Sequence, residues 1–247
     1  MLIAYTLHLA DNNLILGHRN SEWCGHGPVL EQDIAITNIS LDLIGQARNF
    51  YQYAATLIGG DATEDSLAYL RDIREFKNFL LTEQPNGDWA QTILRQFFFS
   101  NYQCLLCDKL QHSADAQLAA IAAKAMPELT YHLRWSSEWV IRLGDGTEES
   151  HHRTKQAIER LWEYTGEFFE TSPYEKEMIA AKIAPDPSLL KQDWQKKTEE
   201  VFAEATLPVP GPAFMQTGGK TGIHSENMGL ILAELQFMQR AYPGAQW

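Results

Sequence analysis

The residues of this chain whose types and spacing could do chemistry are carboxylates and histidines at helical intervals: Asp11, Asp42, Glu128 and His132. Asp42 lies in an apolar run, LEQDIAITNISLDLIGQARNFYQYAATLIGG, with Asn38, Gln46 and Asn49 as its polar neighbours. A carboxylate in such a setting needs a cation, a metal or a proton, because an uncompensated buried charge is costly. Inward carboxylates on long helices suggest a di-iron centre, which takes a glutamate from each of two helices and Glu-x-x-His from each of the other two. Asp42 stands where the first Glu-x-x-His would begin, yet the position three residues later is Gly45, which has no ligand atom. Glu128 stands where the second would begin, but Tyr131 fills the third position and His132 comes one residue late. Where the partner helix should supply a carboxylate, the sequence has Arg95 or Leu94. A fixed positive charge opposes a metal there and suits pairing with Asp42 or Glu128; the alternative is that Arg95 snorkels to solvent.

The positions Asp11, Asp42, Gly45, Arg95, Glu128, Tyr131 and His132 thus read as a di-iron site that has lost its ligands. We expect no catalytic residue and no metal ligand among them, although Glu128 with His132 retains the spacing to hold a single ion. A second motif, Gly218-Gly219-Lys220-Thr221, resembles a phosphate loop only in part. A nucleotide-hydrolysing loop needs a glycine where this chain has Phe214, and a strand before it. A structural loop, or contact with an anion or a partner through Gly218, Gly219, Lys220 and Thr221, remains open. Cys104 and Cys107 form a C-x-x-C within a helical pattern, so they read as core thiols, and Cys24 likewise.

The elements that must position these residues are helices. Apolar periodicity marks long helices over 2–20, 30–60, 89–112, 114–143 and 148–171, with a short one at 64–72. The 30–60 run is apolar nearly all round and is expected at the centre of a bundle. On the first helix His8, Asp11, His18 and Glu22 form a polar stripe expected at a surface or interface. Pro127 should kink its helix before Glu128. Ser172-Pro173-Tyr174-Glu175 is a capping box, Asp186-Pro187 starts another helix, and a last one begins near Ser225, followed by a Pro-Gly-Ala-Gln-Trp tail. No strand or hairpin pattern occurs. The chain is therefore expected to be all-α: a four-helix bundle core over about 2–143 and accessory helices over about 148–247, forming one domain.

Composition narrows the function. The 247 residues are 45% hydrophobic, enough for a sizeable core. The net charge of −12 argues against nucleic acid as a partner. The sequence has no apolar run long enough to span a membrane and no export signal, so a cytoplasmic protein is expected.

Four longer stretches carry a resemblance: EWCGHGPVLEQDIAITNISLDLIGQARNFYQYAA, FLLTEQPNGDWAQTILRQFF, TYHLRWSSEWVIRLGDGTEES and TGGKTGIHSENMGLILAELQFMQRAYPGAQW. Through them nearly the whole chain resembles the C-subunit family of the bacterial phenylacetyl-CoA 1,2-epoxidases, ring-hydroxylating oxygenases of phenylacetate degradation. The resemblance implies a ferritin-like helical protein with no cofactor in this chain and di-iron in a homologous catalytic A subunit, with which it forms a hetero-oligomer. It also implies an NADPH-dependent reductase as a further partner and one atom of O2 inserted into the aromatic ring. Two other readings stand beside it: a di-iron oxygenase active in its own right, and an unrelated helical binding module.

Overall fold

Side-chain caps fix where five of the α-helices begin. Asp88 accepts the Gln91 N–H at 3.0 Å and Asp115 the Leu118 N–H at 2.9 Å. Ser172 and Glu175 close a reciprocal capping box, as the sequence predicts. Gly59, at φ 75°, ends the second helix at the expected Gly59-Gly60 stop. The computed structural model describes residues 1–245; Gln246 and Trp247, the end of the expected tail, lie outside the described residues.

The described residues form ten α-helices joined by loops and short 3-10 turns, with no strand among them. In order these are α1 (Leu2–Ser21), α2 (Leu30–Ile58), α3 (Glu64–Tyr69), α4 (Trp89–Leu110) and α5 (Ala116–Gly144). They continue as α6 (Glu148–Leu161), α7 (Pro173–Ala180), α8 (Lys191–Glu204), α9 (Glu226–Leu235) and α10 (Phe237–Ala241). No helix among the described residues is long and apolar enough to cross a membrane.

The chain divides into two compact units, Met1–Pro85 with Gly218–Trp247, and Asn86–Thr217. In the first, α1 packs along α2 through a close approach at Gly17. A Cβ there would stand 3.1 Å from Ile44 Cγ1 and 3.2 Å from Leu43 Cβ. In the second, α4 packs against α5, α6 and α8 around an aromatic cluster of Phe97, Phe98, Trp162, Trp194 and Phe202. Trp194 donates its indole N–H to the Phe98 carbonyl at 3.0 Å, which satisfies the polar atom of a buried ring.

Three expectations need correction. The helix buried on every side is α4, in which each residue from Ala90 to Gln103 is buried, and not α2. Polar residues of α4 masked this in the sequence, and they find partners inside: Gln96 donates to Ser100 Oγ at 2.7 Å and Asn101 to the Trp194 carbonyl at 3.0 Å. One face of α2 is buried, but Leu30, Ile34, Leu41 and Ile44 on the other are exposed. The helix expected to reach residue 171 ends at Leu161 and passes into 3-10 turns at Trp162–Tyr164 and Gly166–Phe169. Cys24 is exposed, whereas Cys107 is buried and its thiol is pushed up to about 12 by desolvation and by Cys104.

Candidate functional site

The polar stripe of α1 is the starting point, because it faces inward. His8 and Asp11 are fully buried, which corrects the expectation of a surface stripe, while His18 is half-buried and Glu22 is exposed. Beside α1 runs the irregular segment 76–84, whose backbone N–H and C=O groups have no helix of their own to satisfy them. Residues of α1 supply the partners. His8 Nδ1–H donates to the Lys77 carbonyl at 2.7 Å, and Asn12 Oδ1 accepts the Phe79 N–H at 2.8 Å. Asp11 Oδ2 accepts the Lys77 N–H at 2.8 Å.

The rest of the Asp11 carboxylate is also engaged. Tyr51 of α2 donates its hydroxyl at 2.5 Å, and Arg71 approaches both oxygens in a fork, with Nη1 at 3.2 Å and Nη2 closer still. Arg71 keeps its remaining donors busy with the carbonyls of Leu67 and Glu75, at 2.6 and 3.0 Å, and lies 4.1 Å from the centroid of the Phe76 ring. Burial and then the Asp11 charge push the Tyr51 phenol well above its usual range. The buried Arg71 is held charged by Asp11 against the opposing effect of its desolvation. This is a closed, charge-neutral cluster, with no acceptor of Asp11 left facing a ligand.

A second buried carboxylate closes the other end of the same segment. Glu83 Oε1 accepts the Ser225 N–H at 2.6 Å, which caps the start of α9. Its Oε2 accepts from His224 Nδ1 at 2.9 Å and from Asn78 Nδ2 at 3.2 Å. The other ring nitrogen, Nε2, donates to the Phe76 carbonyl at 3.0 Å. Both imidazole nitrogens face acceptors, so the geometry suits the imidazolium. Burial alone would lower the His224 pKa, but the Glu83 hydrogen bond and charge outweigh it and raise it above 6.5.

The glycine loop lies on this segment. A Cβ on Gly219 would meet the Asn78 carbonyl oxygen at 2.1 Å, and one on Gly222 the Arg74 carbonyl oxygen at 2.2 Å. Lys220 is 4% exposed, with Nζ 5.2 Å from the centroid of the Phe79 ring. Of the residues expected to contact an anion or partner, Gly218, Gly219, Lys220 and Thr221, only Thr221 is exposed. The geometry here is that of a close packing surface.

The other positions of the degenerate di-iron pattern are placed as follows. Asp42 is half-buried and Gly45 is exposed, on the solvent side of α2. Arg95 is fully buried, so it does not snorkel, and its Nη2 donates to Asn86 Oδ1 at 2.5 Å. On α5, His132 is fully buried, while Glu128 and Tyr131 are half-buried. Helix α5 continues through Pro127, whose ring is exposed. No group of three or more metal-capable side chains occurs among the described residues. With a cation at Arg95, no side chain at Gly45 and Asp11 engaged by Arg71, Tyr51 and Lys77, these residues do not fit a di-iron centre. Reading the sequence alone missed Tyr51, Arg71, Glu83 and His224; of these, only His224 carried a local signal, standing directly before Ser225 at the start of the last predicted helix.

Comparison with known proteins gives this arrangement its context. The C subunit of the 1,2-phenylacetyl-CoA epoxidase of Escherichia coli (strain K12) is 50% identical over 246 residues, which span 100% of this chain and 99% of that protein. The profile of the family described as Phenylacetic acid catabolic protein matches residues 1–247. The all-α architecture agrees with the ferritin-like class expected of such proteins. A match of that extent shows that the chain belongs to the phenylacetic acid catabolic protein family.

Proposed function

We propose that this chain is the non-catalytic, structural subunit of a multicomponent 1,2-phenylacetyl-CoA epoxidase, pairing with and stabilising a homologous subunit that carries the di-iron centre. The observation that carries this reading is Arg95, a fully buried guanidinium at a position where a di-iron site requires a carboxylate. A guanidinium cannot give up its charge in a protein, so it cannot become a ligand. Gly45, without a side chain, and Asp11, engaged on both oxygens, support the same conclusion. In this reading electrons from an NADPH-dependent reductase reach the partner, and this chain supplies the scaffold.

The test is co-purification of the chain with the iron-bearing subunit, followed by size-exclusion chromatography and iron quantification of each chain. A stable complex with all its iron in the partner is expected. Stoichiometric iron in this chain, tied to O2 consumption by the chain alone, would instead make it an oxygenase in its own right. Failure to associate with any iron-bearing subunit would overturn the pairing.

A further inference from the structure

Helix α2 presents to solvent an apolar stripe that its own chain covers only at the Ile44 edge, beside Gly17. Leu30, Ile34, Leu41 and Ile44 fall on one side of the helix and are 73, 52, 62 and 39% exposed. Val29, just before the helix, is 52% exposed as well. The stripe is about 22 Å long at the rise of an α-helix. It ends in a polar cluster, where Arg48 and Gln52 hydrogen-bond Glu64. The outer face of α5 is of the ordinary kind, with Lys124, Arg134, Glu138 and Arg142 exposed. An apolar stripe of this length, rimmed by polar residues, marks an interaction site.

Gly45 lies beside Leu41 and Ile44 on this face and has no neighbour that a Cβ would touch within 4 Å. Glycine is the least favourable residue for a helix interior after proline, and here nothing in the chain requires it. Gly17 provides the contrast: its missing side chain is explained by the close approach of α2 within the chain. A glycine set among exposed leucine and isoleucine is explained in the same way by a helix approaching from another chain.

The occupant follows from charge. The chain carries 32 acidic and 20 basic residues, and Glu31 stands exposed at the edge of the stripe. Self-association would bring two net charges of −12 together, which disfavours a second copy. An apolar helix flanked by basic side chains complements the face. Building on the pairing proposed above, we infer that the α2 face from Leu30 to Gly45 seats such a helix of the iron-bearing subunit. The stripe is smaller than a whole standard interface and forms its apolar centre.

Two full-length variants test this, Gly45→Leu and Leu41→Glu, each titrated with the purified iron-bearing subunit. Gly45→Leu should keep or raise the melting temperature of the isolated chain, because leucine is the better helix former and the space is open. It should nevertheless weaken association at least tenfold, as should Leu41→Glu, with circular dichroism unchanged. Wild-type affinity in both variants overturns the assignment of this face while leaving the pairing intact. A wild-type chain that fails to bind the subunit at all overturns the pairing and the face together. A homodimer of this chain alone, lost in Leu41→Glu, would make the occupant a second copy and overturn the assignment of the partner.

Discussion

Replacing Arg71 by methionine fills most of its volume, keeps contact with the Phe76 ring, and leaves the Asp11 carboxylate buried without its cation. Stranding one member of a buried pair typically costs about 3–5 kcal/mol. The carbonyls of Leu67 and Glu75 also lose a donor, at about 1 kcal/mol each. A total of roughly 5–7 kcal/mol is a large share of the roughly 5–15 kcal/mol that holds a typical domain together. For a chain of this size each kcal/mol shifts the melting temperature by about 2–4 °C, so Arg71→Met should melt at least about 10 °C below wild type. Adding Asp11→Asn removes the stranded charge, and the asparagine oxygen can still accept the Lys77 N–H. The double variant should therefore recover about half of the loss, and the coupling in a double-mutant cycle should exceed that recovery by the cost of Asp11→Asn alone. Urea unfolding followed by circular dichroism measures each corner of the cycle. Arg71→Met melting within about 2 °C of wild type, or a double variant that falls by the sum of the singles, would refute the reasoning.

His224 gives a pH signature. Its folded pKa lies above the ordinary 6.5, so its contribution is fully present below 6.5 and is lost as pH rises through the folded value. Between pH 6 and 9 the urea midpoint of the wild type should fall relative to that of His224→Gln; parallel profiles would remove the Glu83–His224 pair from the account. Gly219→Ala, whose Cβ would meet the Asn78 carbonyl oxygen at 2.1 Å, should cost about 2 kcal/mol or more, read as a lower urea midpoint. An unchanged midpoint would mean that the loop does not depend on this close approach.

The helices and their ends were legible because their signals are local. Asp88, Asp115, Ser172 and Gly59 act on groups within a few residues of themselves. The oddity of Arg95, a guanidinium within an apolar helical stretch, could also be read from its position alone. The partners of Asp11 could not, since Tyr51, Arg71 and Lys77 lie 40 to 66 residues away and nothing in their own neighbourhoods points to α1. The exchange of α2 and α4 has a related cause. Apolar periodicity reports that a face is covered, but not whether its own chain or another covers it, and so the stripe of α2 read as core. Conversely, the burial of Asn101 on α4 could not be read locally, because its partner Trp194 lies 93 residues away.

The central claim is that this chain cannot assemble a di-iron centre, and ferrous loading of the isolated protein tests it most directly. Anaerobic incubation with excess Fe(II), removal of unbound metal, and elemental analysis should leave well under one iron per folded chain. No diferric absorption should appear on admitting O2. Retention of two irons per chain, with their binding lost on replacing Asp42 or Glu128 by alanine, would contradict the account.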